Sequence, residues 1–252
     1  MIYDYQTKMK SIHEILCTII FEYLNFYDKH TFKRIRKIMY RIHITDLFHI
    51  ENKYVDKLND KILLNYKFAT KLDACDNYNI TNINHMTNLK ILNACGNCRL
   101  DDNSIRHNNL KIFYTSWNLK ITNVKHMTNL KELYANGNCG IDDNSILNNN
   151  LEKLSVNNNA RITNVNHVVN LKELYAYGNC GIDDRGIRDI NLKKLDASDN
   201  PKITNVNHMS NLKDLVACGC CGINDDGIQN IDLENLDTYC NPKLTRFKHG
   251  YF

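Results

Sequence analysis

The sequence has few prolines, little net charge and no long apolar run. Only two of its 252 residues are proline and only one is tryptophan. No stretch reaches the roughly 18 uncharged apolar residues of a transmembrane helix. The first residues also lack the basic and then apolar layout of a secretory signal. We therefore expect an intracellular, cytoplasmic protein that does not insert into a membrane.

Charge and cysteine usage exclude further classes of protein. The net charge is +4, with 43% hydrophobic and 24% charged residues. This composition is too balanced for an evident nucleic-acid polycation and too apolar for a disordered chain. The ten cysteines occur without a secretion signal, which argues against a disulfide framework. The length fits one large domain, or a small domain joined to a larger one.

A repeat organises most of the chain. The string Ile-Thr-Asn begins at Ile80, Ile121, Ile162 and Ile203, so one copy spans 41 residues (121 minus 80). Each copy contains a shorter unit twice. In that unit a framework residue is followed by Ala, Val or Thr two positions later, by Asn (once by Cys) five positions later, and by Ile or Leu eight positions later. The framework residues are Leu72, Leu92, Phe113, Leu133, Leu154, Leu174, Leu195, Leu215 and Leu236.

The pattern L-x-x-L-x-A-x-x-N-x-x-I resembles the leucine-rich repeat family. The resemblance implies an α/β solenoid, a curved stack of about nine coils of 20–21 residues with a parallel β-sheet on its concave face. The physical pattern agrees, because residues two apart in a short strand face the same side. A single coil cannot bury its apolar edge, whereas stacked coils share one core.

The segments between the strands differ in the two halves of the 41-residue copy. We expect the Asn five residues after each framework position to turn the chain and to satisfy the backbone of a neighbouring coil. The half that contains Ile80, Ile83 and Met86 predicts a 3₁₀-like or extended return. The other half, with the string Cys-Gly-Ile-Asp-Asp, has room for one helical turn that begins at a capping Asp.

The first part of the chain, residues 1–44, lies outside the repeat. Its apolar residues predict an apolar helix, a short polar break and a second, basic helix. This order resembles an F-box, although the segment lacks the Leu-Pro with which F-boxes commonly begin. The resemblance implies docking of a Skp1-type subunit through Ile20, Phe21, Leu24, Phe32 and Ile35. Residues 45–71 are interpreted as a linker and degenerate capping coil, and residues 72–252 as the solenoid.

Two functions remain open for this arrangement. By resemblance to F-box/leucine-rich-repeat proteins, the chain is a substrate-recognition adaptor of a Skp1-cullin ubiquitin ligase. Alternatively, it is a protein-interaction or structural module without a ubiquitin role, in which the N-terminal helices only cap the solenoid. The Asn-rich, Pro-poor composition also resembles repeat proteins of giant DNA viruses or of their protist hosts.

The cysteines and histidines follow the repeat, which argues against an enzyme. Cys98, Cys139, Cys180 and Cys221 recur every 41 residues, so two coils separate successive members by about 10 Å, too far for a disulfide or a shared metal. The same spacing separates His85 and its counterparts, which we expect to form local hydrogen bonds. We predict no catalytic residue, no cofactor and no metal site.

The strand residues that face away from the core are the candidate binding residues. They are interpreted as the concave face, aromatic at its centre, and Tyr and Trp are typical of protein-binding hot spots. The positions one and three residues after each framework residue carry no Lys or Arg, so a protein target is predicted and nucleic acid is not. The oligomeric state is left open. The predicted partner-binding residues are Tyr114, Trp117, Tyr134, Tyr175, Tyr177, Asp196 and Tyr239.

Overall fold

Ten short parallel strands form one sheet whose order follows the chain. The computed structural model describes residues 45–48, 57–147 and 149–245. The pairing of each strand with its sequence neighbours confirms the predicted stack of parallel coils. The strands are β1 (Asp46–Leu47), β2 (Lys71–Asp73), β3 (Ile91–Asn93), β4 (Ile112–Tyr114), β5 (Glu132–Tyr134), β6 (Lys153–Ser155), β7 (Glu173–Tyr175), β8 (Lys194–Asp196), β9 (Asp214–Val216) and β10 (Asn235–Asp237).

The framework residue stands at the centre of each strand from β2 to β10 and points into the solenoid. Leu133 and Leu154 are fully buried, and they pair in register across β5 and β6. The small residue two positions later, such as Ala135, is buried as well. Burial of these residues coil upon coil produces one continuous apolar core, which is why a single coil would not fold alone.

The segments that return to the next strand match the expectation for each half of the repeat. Two short α-helices, α1 (Asp60–Leu63) and α2 (Asp184–Ile187), and three 3₁₀ helices (Leu64–Tyr66, Asn144–Ile146 and Asp225–Ile228) are present in the described residues. Asp183 caps α2, because its side chain accepts from the backbone N–H groups of Arg185 and Gly186. The other half returns through turns in which the Met86 N–H donates to the Ile83 carbonyl.

The buried polar ladder differs from the expected ladder of asparagines. Asn159 is buried, and its Nδ2 donates to the carbonyls of Ala135 and Ile141. In the next coil Asn179 is exposed, and Cys180 at the following position is buried instead. Asn and Cys therefore alternate inside the solenoid. They also touch each other, with 3.3 Å between Asn159 Nδ2 and Cys139 Sγ.

The turn that ends each strand adopts the left-handed conformation four residues after the framework position. Glycines alternate there with other residues, as in Gly178 (φ 69°) and Asn158 (φ 57°). The side chain of Asn158 lies over Gly178 of the next coil, where a Cβ atom would be only 2.3 Å from Asn158 Oδ1. Asn158 Oδ1 also accepts from the Asn179 N–H. Glycine is required in alternate coils because the preceding coil's side chain fills its space.

The sheet begins before the first predicted framework residue. Strand β1 pairs with β2 in parallel, with Leu47 opposite Leu72, so a tenth strand precedes the nine predicted ones. Leu58 and Leu63 are also buried against the first coil. Residues 1–44, which carry the F-box-like segment, lie outside the described residues. Among the residues that are described, no helix has the length and apolarity needed to cross a membrane.

Candidate functional site

A row of charges of alternating sign crosses the middle of the concave face. Each residue that precedes a framework residue pairs directly with its counterpart on the next strand. Across β5 to β9 these residues alternate in sign, and oppositely charged neighbours on adjacent strands stabilise each other. The row consists of Glu132, Lys153, Glu173, Lys194 and Asp214.

Three tyrosines lie beside this row. The rings of Tyr114 and Tyr134 stack with 4.5 Å between their centroids and 13° between their planes. Phe48 extends the aromatic surface, with its ring centroid 5.9 Å from that of Tyr114. Tyr175 lies two strands beyond Tyr134, with the small Ser155 between them. We define the central concave patch as Tyr114, Glu132, Tyr134, Lys153, Glu173, Tyr175 and Lys194.

Lys153 connects the tyrosines of the central concave patch. Its Nζ lies 5.9 Å from the ring centroid of Tyr134 and 5.1 Å from that of Tyr175, both within cation–π range. It also forms an ion pair of 3.2 Å with Glu173. Partial burial opposes the charge on Lys153 and is the largest single effect on its pKa. The hydrogen bond to Glu173 and the electrostatic interactions with Tyr134, Tyr175 and Glu173 together outweigh it and raise the lysine pKa. Lys153 therefore stays protonated at every physiological pH.

The tyrosine hydroxyls are held by the acidic members of the row. Tyr134 Oη donates to Glu132 at 3.0 Å, and Tyr175 Oη donates to Glu173 at 3.3 Å. Partial burial, together with the bond to Glu132, raises the pKa of Tyr134 to about 12. These contacts fix the ring orientations in the free protein, so less side-chain conformational entropy is lost when a partner binds.

Of the other predicted binding residues, only Asp196 borders this patch, because it pairs directly with Tyr175 across β7 and β8. Tyr177 is 38% exposed near Asp199, whose carboxylate raises the tyrosine pKa. Asp196 accepts from the Ser198 N–H, and Tyr239 lies beyond β10 with 76% exposure. Trp117 is not on a strand at all, because it occupies the left-handed turn after β4.

Residues three positions after the framework form hydrogen bonds between successive coils. Asn136 Oδ1 accepts from the Asn157 N–H and from Ser155 Oγ. Asn157 Oδ1 accepts in turn from the Tyr177 N–H. These amides connect successive coils, so their acceptor atoms are already engaged within the protein.

Sequence reasoning missed the charged half of the patch. Lys153 and Ser155 are two residues apart on β6, so the alternation of a strand places both on one face. The predicted face comprised the positions one and three residues after the framework residue and left out the position before it, although the signs of Glu132, Lys153, Glu173 and Lys194 are readable in the sequence. Their alternation at a fixed repeat position was the signal that could have revealed the row.

The residues two positions before the framework form a rim of lysines from Lys90 to Lys213, which is interrupted by one acid, Glu152. Glu152 accepts ion pairs from Lys131 at 3.0 Å and from Lys172 at 2.6 Å. Hydrogen bonds from Lys172 and then Lys131 lower the pKa of this half-exposed carboxylate to about 2. The rim is therefore a partly neutralised edge beside the central concave patch.

The cysteine and histidine ladders show structural contacts. Every cysteine that the structure describes is a free thiol, and Cys139 Sγ donates to the Ala135 carbonyl at 3.2 Å. His126 and His208 contact the carbonyls of Ile105 and Ile187 through Nε2. In the described ranges, no cluster of three or more His, Cys, Asp or Glu residues could hold a metal ion.

The repeat pattern and the parallel stack of coils define the class of protein as a leucine-rich-repeat solenoid. No protein-family model matches the sequence, and no curated protein matches it. The chain is similar to the solved structure of an internalin, inlF of Listeria monocytogenes, at 17% identity and a TM-score of 0.38. The alignment covers 68% of this chain and 67% of the internalin chain. The class rests on the topology and the repeat, not on this likeness.

Proposed function

We propose that this solenoid is a protein-binding module that holds its target on the central concave patch. The observation that supports the proposal is the Tyr134–Lys153–Tyr175 arrangement, in which one lysine lies near two rings and is paired to Glu173. Tyrosines held in place in this way offer large contact area at low entropic cost, as residues at binding hot spots do.

The charge of the patch favours a protein over a nucleic acid. Glu132 and Glu173 carry two negative charges, and Lys153 and Lys194 carry two positive charges, so the patch is neutral (two minus two). Binding of a phosphate backbone needs an uncompensated positive surface. A protein surface with both polar and aromatic groups satisfies this patch without leaving a charge unpaired.

The test compares partners captured by the full chain and by two double variants. Tyr134→Ala with Lys153→Ala removes the centre of the patch, while Val169→Ala with Lys125→Ala removes an apolar and a cationic side chain from the return segments. We expect quantitative affinity purification to show partners that the patch variant loses at least about tenfold and that the control variant keeps. Equal capture by all three proteins would contradict the proposal.

In its finer form the proposal makes the chain a substrate-recognition adaptor of a Skp1-cullin ubiquitin ligase. Support comes from the F-box-like order of residues 1–44 and from the position of that segment ahead of the repeats. Ile20, Phe21, Leu24, Phe32 and Ile35 would dock the Skp1-type subunit, and the solenoid would bring its target to the ligase at high effective concentration. The viral or protist origin remains a prediction of the same kind.

Co-purification of the full chain with recombinant Skp1 tests the finer form. We expect a complex at micromolar concentration that Leu24→Asp with Phe32→Asp abolishes, whereas the concave variant Tyr134→Ala with Lys153→Ala retains it. Deletion of residues 1–44 separates the alternative. If these residues serve only as a cap, their loss lowers the stability of the solenoid, whereas loss of a docking segment removes Skp1 and leaves the solenoid folded. A folded full chain that binds no Skp1 would leave the coarser proposal in place and end the finer one.

A further inference from the structure

An exposed apolar groove lies on the flank of the solenoid, where the chain leaves the first strands. Trp117, Tyr78 and Leu119 are 60%, 57% and 54% exposed there. Together with Arg99 and the turn residues between them they line a solvent-open depression of roughly 380 Å³. Clusters of large exposed apolar side chains are typical of interaction sites. We define these four residues as the flank groove.

The other copies of the repeat show what each groove position holds elsewhere in the chain. At the position of Trp117, equivalent coils carry Asp76, Asn158, Asp199 and Cys240. At the position of Tyr78 and Leu119 they carry Ala160, Pro201 and Pro242, and at that of Arg99 they carry Gly140, Gly181 and Gly222. The large residues that replace these smaller ones meet in one place, so the flank groove is a local exception to the repeat.

Trp117 is unfavourable for the fold at this position. Its φ of 63° lies in the left-handed region, which a bulky residue with a Cβ atom adopts at a cost that Asn and Asp tolerate better. Asp76, Asn158 and Asp199 each accept a backbone N–H from the following coil through Oδ1. The indole has no acceptor and cannot make this bond to the Asn138 N–H.

The surroundings hold the indole open to solvent. A Cβ atom on Gly137 would be 2.4 Å from Trp117 Cε2, so the ring rests directly on the glycine of the next coil. One face of the ring is thereby supported, and the rest remains available to a ligand. Residues with strained backbone concentrate at functional sites, so an exposed aromatic ring on such a backbone points to a role in binding.

The charges of the groove identify the chemistry of its ligand. Arg99 is exposed, and Lys120 donates to the Cys98 carbonyl at 3.2 Å while staying exposed at the groove edge. Among the described residues, no acidic side chain lines the depression. Asp76 borders it, and Asp76 Oδ1 is occupied by the Asn97 N–H. The site therefore combines an apolar floor with a positive rim.

We propose that the flank groove binds an extended segment of a partner protein in which an aromatic or aliphatic side chain adjoins a carboxylate. The apolar side chain lies against Trp117 and Leu119, and the carboxylate pairs with the Arg99 guanidinium, a geometry that arginine favours. Because the depression is open to solvent, it fits one or two side chains of such a segment and does not enclose a whole small molecule as a ligand pocket does. This contact is separate from the central concave patch and does not depend on it.

The experiment selects random octapeptides displayed on phage against the immobilised full chain, then measures the affinity of the selected peptides for variants. Each variant installs the residue that the repeat uses elsewhere, namely Trp117→Asn, Leu119→Ala and Arg99→Gly. Asp199→Asn, at the same turn of another coil, serves as the matched control. We expect selected peptides that pair Phe, Trp or Leu with Asp or Glu and lose at least about tenfold in affinity for W117N.

Stability measurements accompany the binding measurements. Asn at position 117 fits the left-handed turn and can accept the Asn138 N–H, so we expect W117N to unfold at a temperature higher by roughly 2 to 4 °C. L119A tests the groove without a change at the turn, and we expect it to lose affinity while its melting temperature stays close to that of the wild type. A large drop in the melting temperature of W117N would assign Trp117 to the fold and overturn the proposal.

Several other outcomes of the binding experiment would overturn the proposal. The proposal is overturned if the selected peptides share no motif of an apolar residue beside an acidic one. It is also overturned if the selected peptides bind W117N and L119A as tightly as they bind the wild type. Two other results would overturn it as well. One is that a single-stranded oligothymidine binds more tightly than the selected peptides and that W117N abolishes this binding, and the other is that the protein is a dimer that W117N converts to a monomer. The variant Tyr134→Ala with Lys153→Ala should keep its affinity for the selected peptides, so failure here is distinguishable from failure of the concave patch.

Discussion

Asn138 and Asn159 occupy the same position of the repeat in neighbouring coils, yet only Asn159 is buried. Asn159 donates to the carbonyls of Ala135 and Ile141 and contacts Cys139 Sγ, whereas Asn138 is exposed. The interior therefore needs the amide in every second coil only. In the intervening coils a buried cysteine occupies the equivalent interior position. Its thiol is only a weak hydrogen-bond donor, but the Asn of the next coil donates to the carbonyls of the cysteine's own coil, as Asn159 does to those of Ala135 and Ile141.

Replacement of the buried asparagine tests this division. Asn159→Ala leaves the buried Ile141 carbonyl without a partner and the Ala135 carbonyl with only the weak Cys139 thiol donor, and we expect a loss of about 2 to 3 kcal/mol in the free energy of unfolding. Asn138→Ala is the matched control and should change this energy by no more than about 0.5 kcal/mol. Urea denaturation followed by circular dichroism measures both. Similar losses for the two variants would contradict the alternating ladder.

The buried thiols make stability depend on alkaline pH. Burial raises the pKa of Cys139, Cys180 and Cys221 from 9.0 to about 11. Between these values the unfolded thiols lose protons that the folded ones keep, so stability is complete below pH 9 and falls as the pH rises towards 11. We expect Cys139→Ala to lose less stability between pH 8 and pH 10.5 than the wild type, by on the order of 1 to 2 kcal/mol.

Urea midpoints of both proteins at the two pH values measure this difference. A parallel comparison at pH 6 and pH 8, where these thiols are protonated in both states, is the control and should show no such difference. Identical alkaline losses for wild type and Cys139→Ala would mean that the thiol does not ionise on unfolding.

At the residue scale, spacing in the sequence predicted which side chains are buried in the strands but not which polar residue enters the core. Asn179 and Cys180 are adjacent small polar residues, and a shift of one position in the turn decides between them. The left-handed turn residues had a signal, since Gly96, Gly137, Gly178 and Gly219 recur every 41 residues. The reason why glycine is required there is that the side chain of the preceding coil, about 20 residues earlier, fills the space of a Cβ atom. That contact cannot be read from the local sequence.

At the scale of elements, each strand is too short to be stable alone, and the helical turns depend on their caps. Asp183 accepts two N–H groups of α2, and Asn224 caps the equivalent 3₁₀ helix at Asp225–Ile228 by accepting from Gly227. The string Cys-Gly-Ile-Asp-Asp predicted such a cap, and the structure confirms it. Whether the single turn is α or 3₁₀ varies from copy to copy and was not predictable from the shared string.

Removal of this cap has a defined cost. Asp183→Ala leaves the Arg185 and Gly186 N–H groups without their acceptor, and we expect it to lower the free energy of unfolding by about 1 kcal/mol. Asp189→Ala removes an exposed carboxylate that pairs only weakly with Arg188 at 3.3 Å, and it should leave stability nearly unchanged. Thermal denaturation compares the two, and an equal effect would show that the cap is dispensable.

At the scale of the whole molecule, the chain is a one-dimensional stack whose coils contact mainly their neighbours. The class of fold, the parallel sheet and the coil length were all predictable, because nine copies of one pattern constrain each other. The tenth strand at Asp46–Leu47 escaped prediction, since its coil lacks the framework spacing. The candidate concave patch was predictable in part, because Tyr114, Tyr134 and Tyr175 follow from strand alternation. Trp117 was also a predicted binding residue, but its place on the flank depends on the geometry of a turn.

Local stability should vary along the stack. Leu133 and Leu154 are fully buried, whereas Leu236, Leu233 and Ile231 around β10 are only partly buried. We expect native-state hydrogen exchange to show slow amides in β5 to β7 and amides in β10 that exchange at least about tenfold faster. Uniform protection across the sheet would indicate a single cooperative unit. The control is exchange in strong denaturant, where both regions should lose their protection.

The alternating row of Glu132, Lys153, Glu173, Lys194 and Asp214 has a consequence for the kinetics of association. Charges of opposite sign at neighbouring strand positions cancel within a few ångströms, so the face projects little field into solvent and does not attract a charged partner from a distance. Encounter should then proceed at the unsteered rate of roughly 10⁵ to 10⁶ M⁻¹s⁻¹ and change little with salt. Differences in affinity between partners of this face would then arise from differences in their dissociation rates.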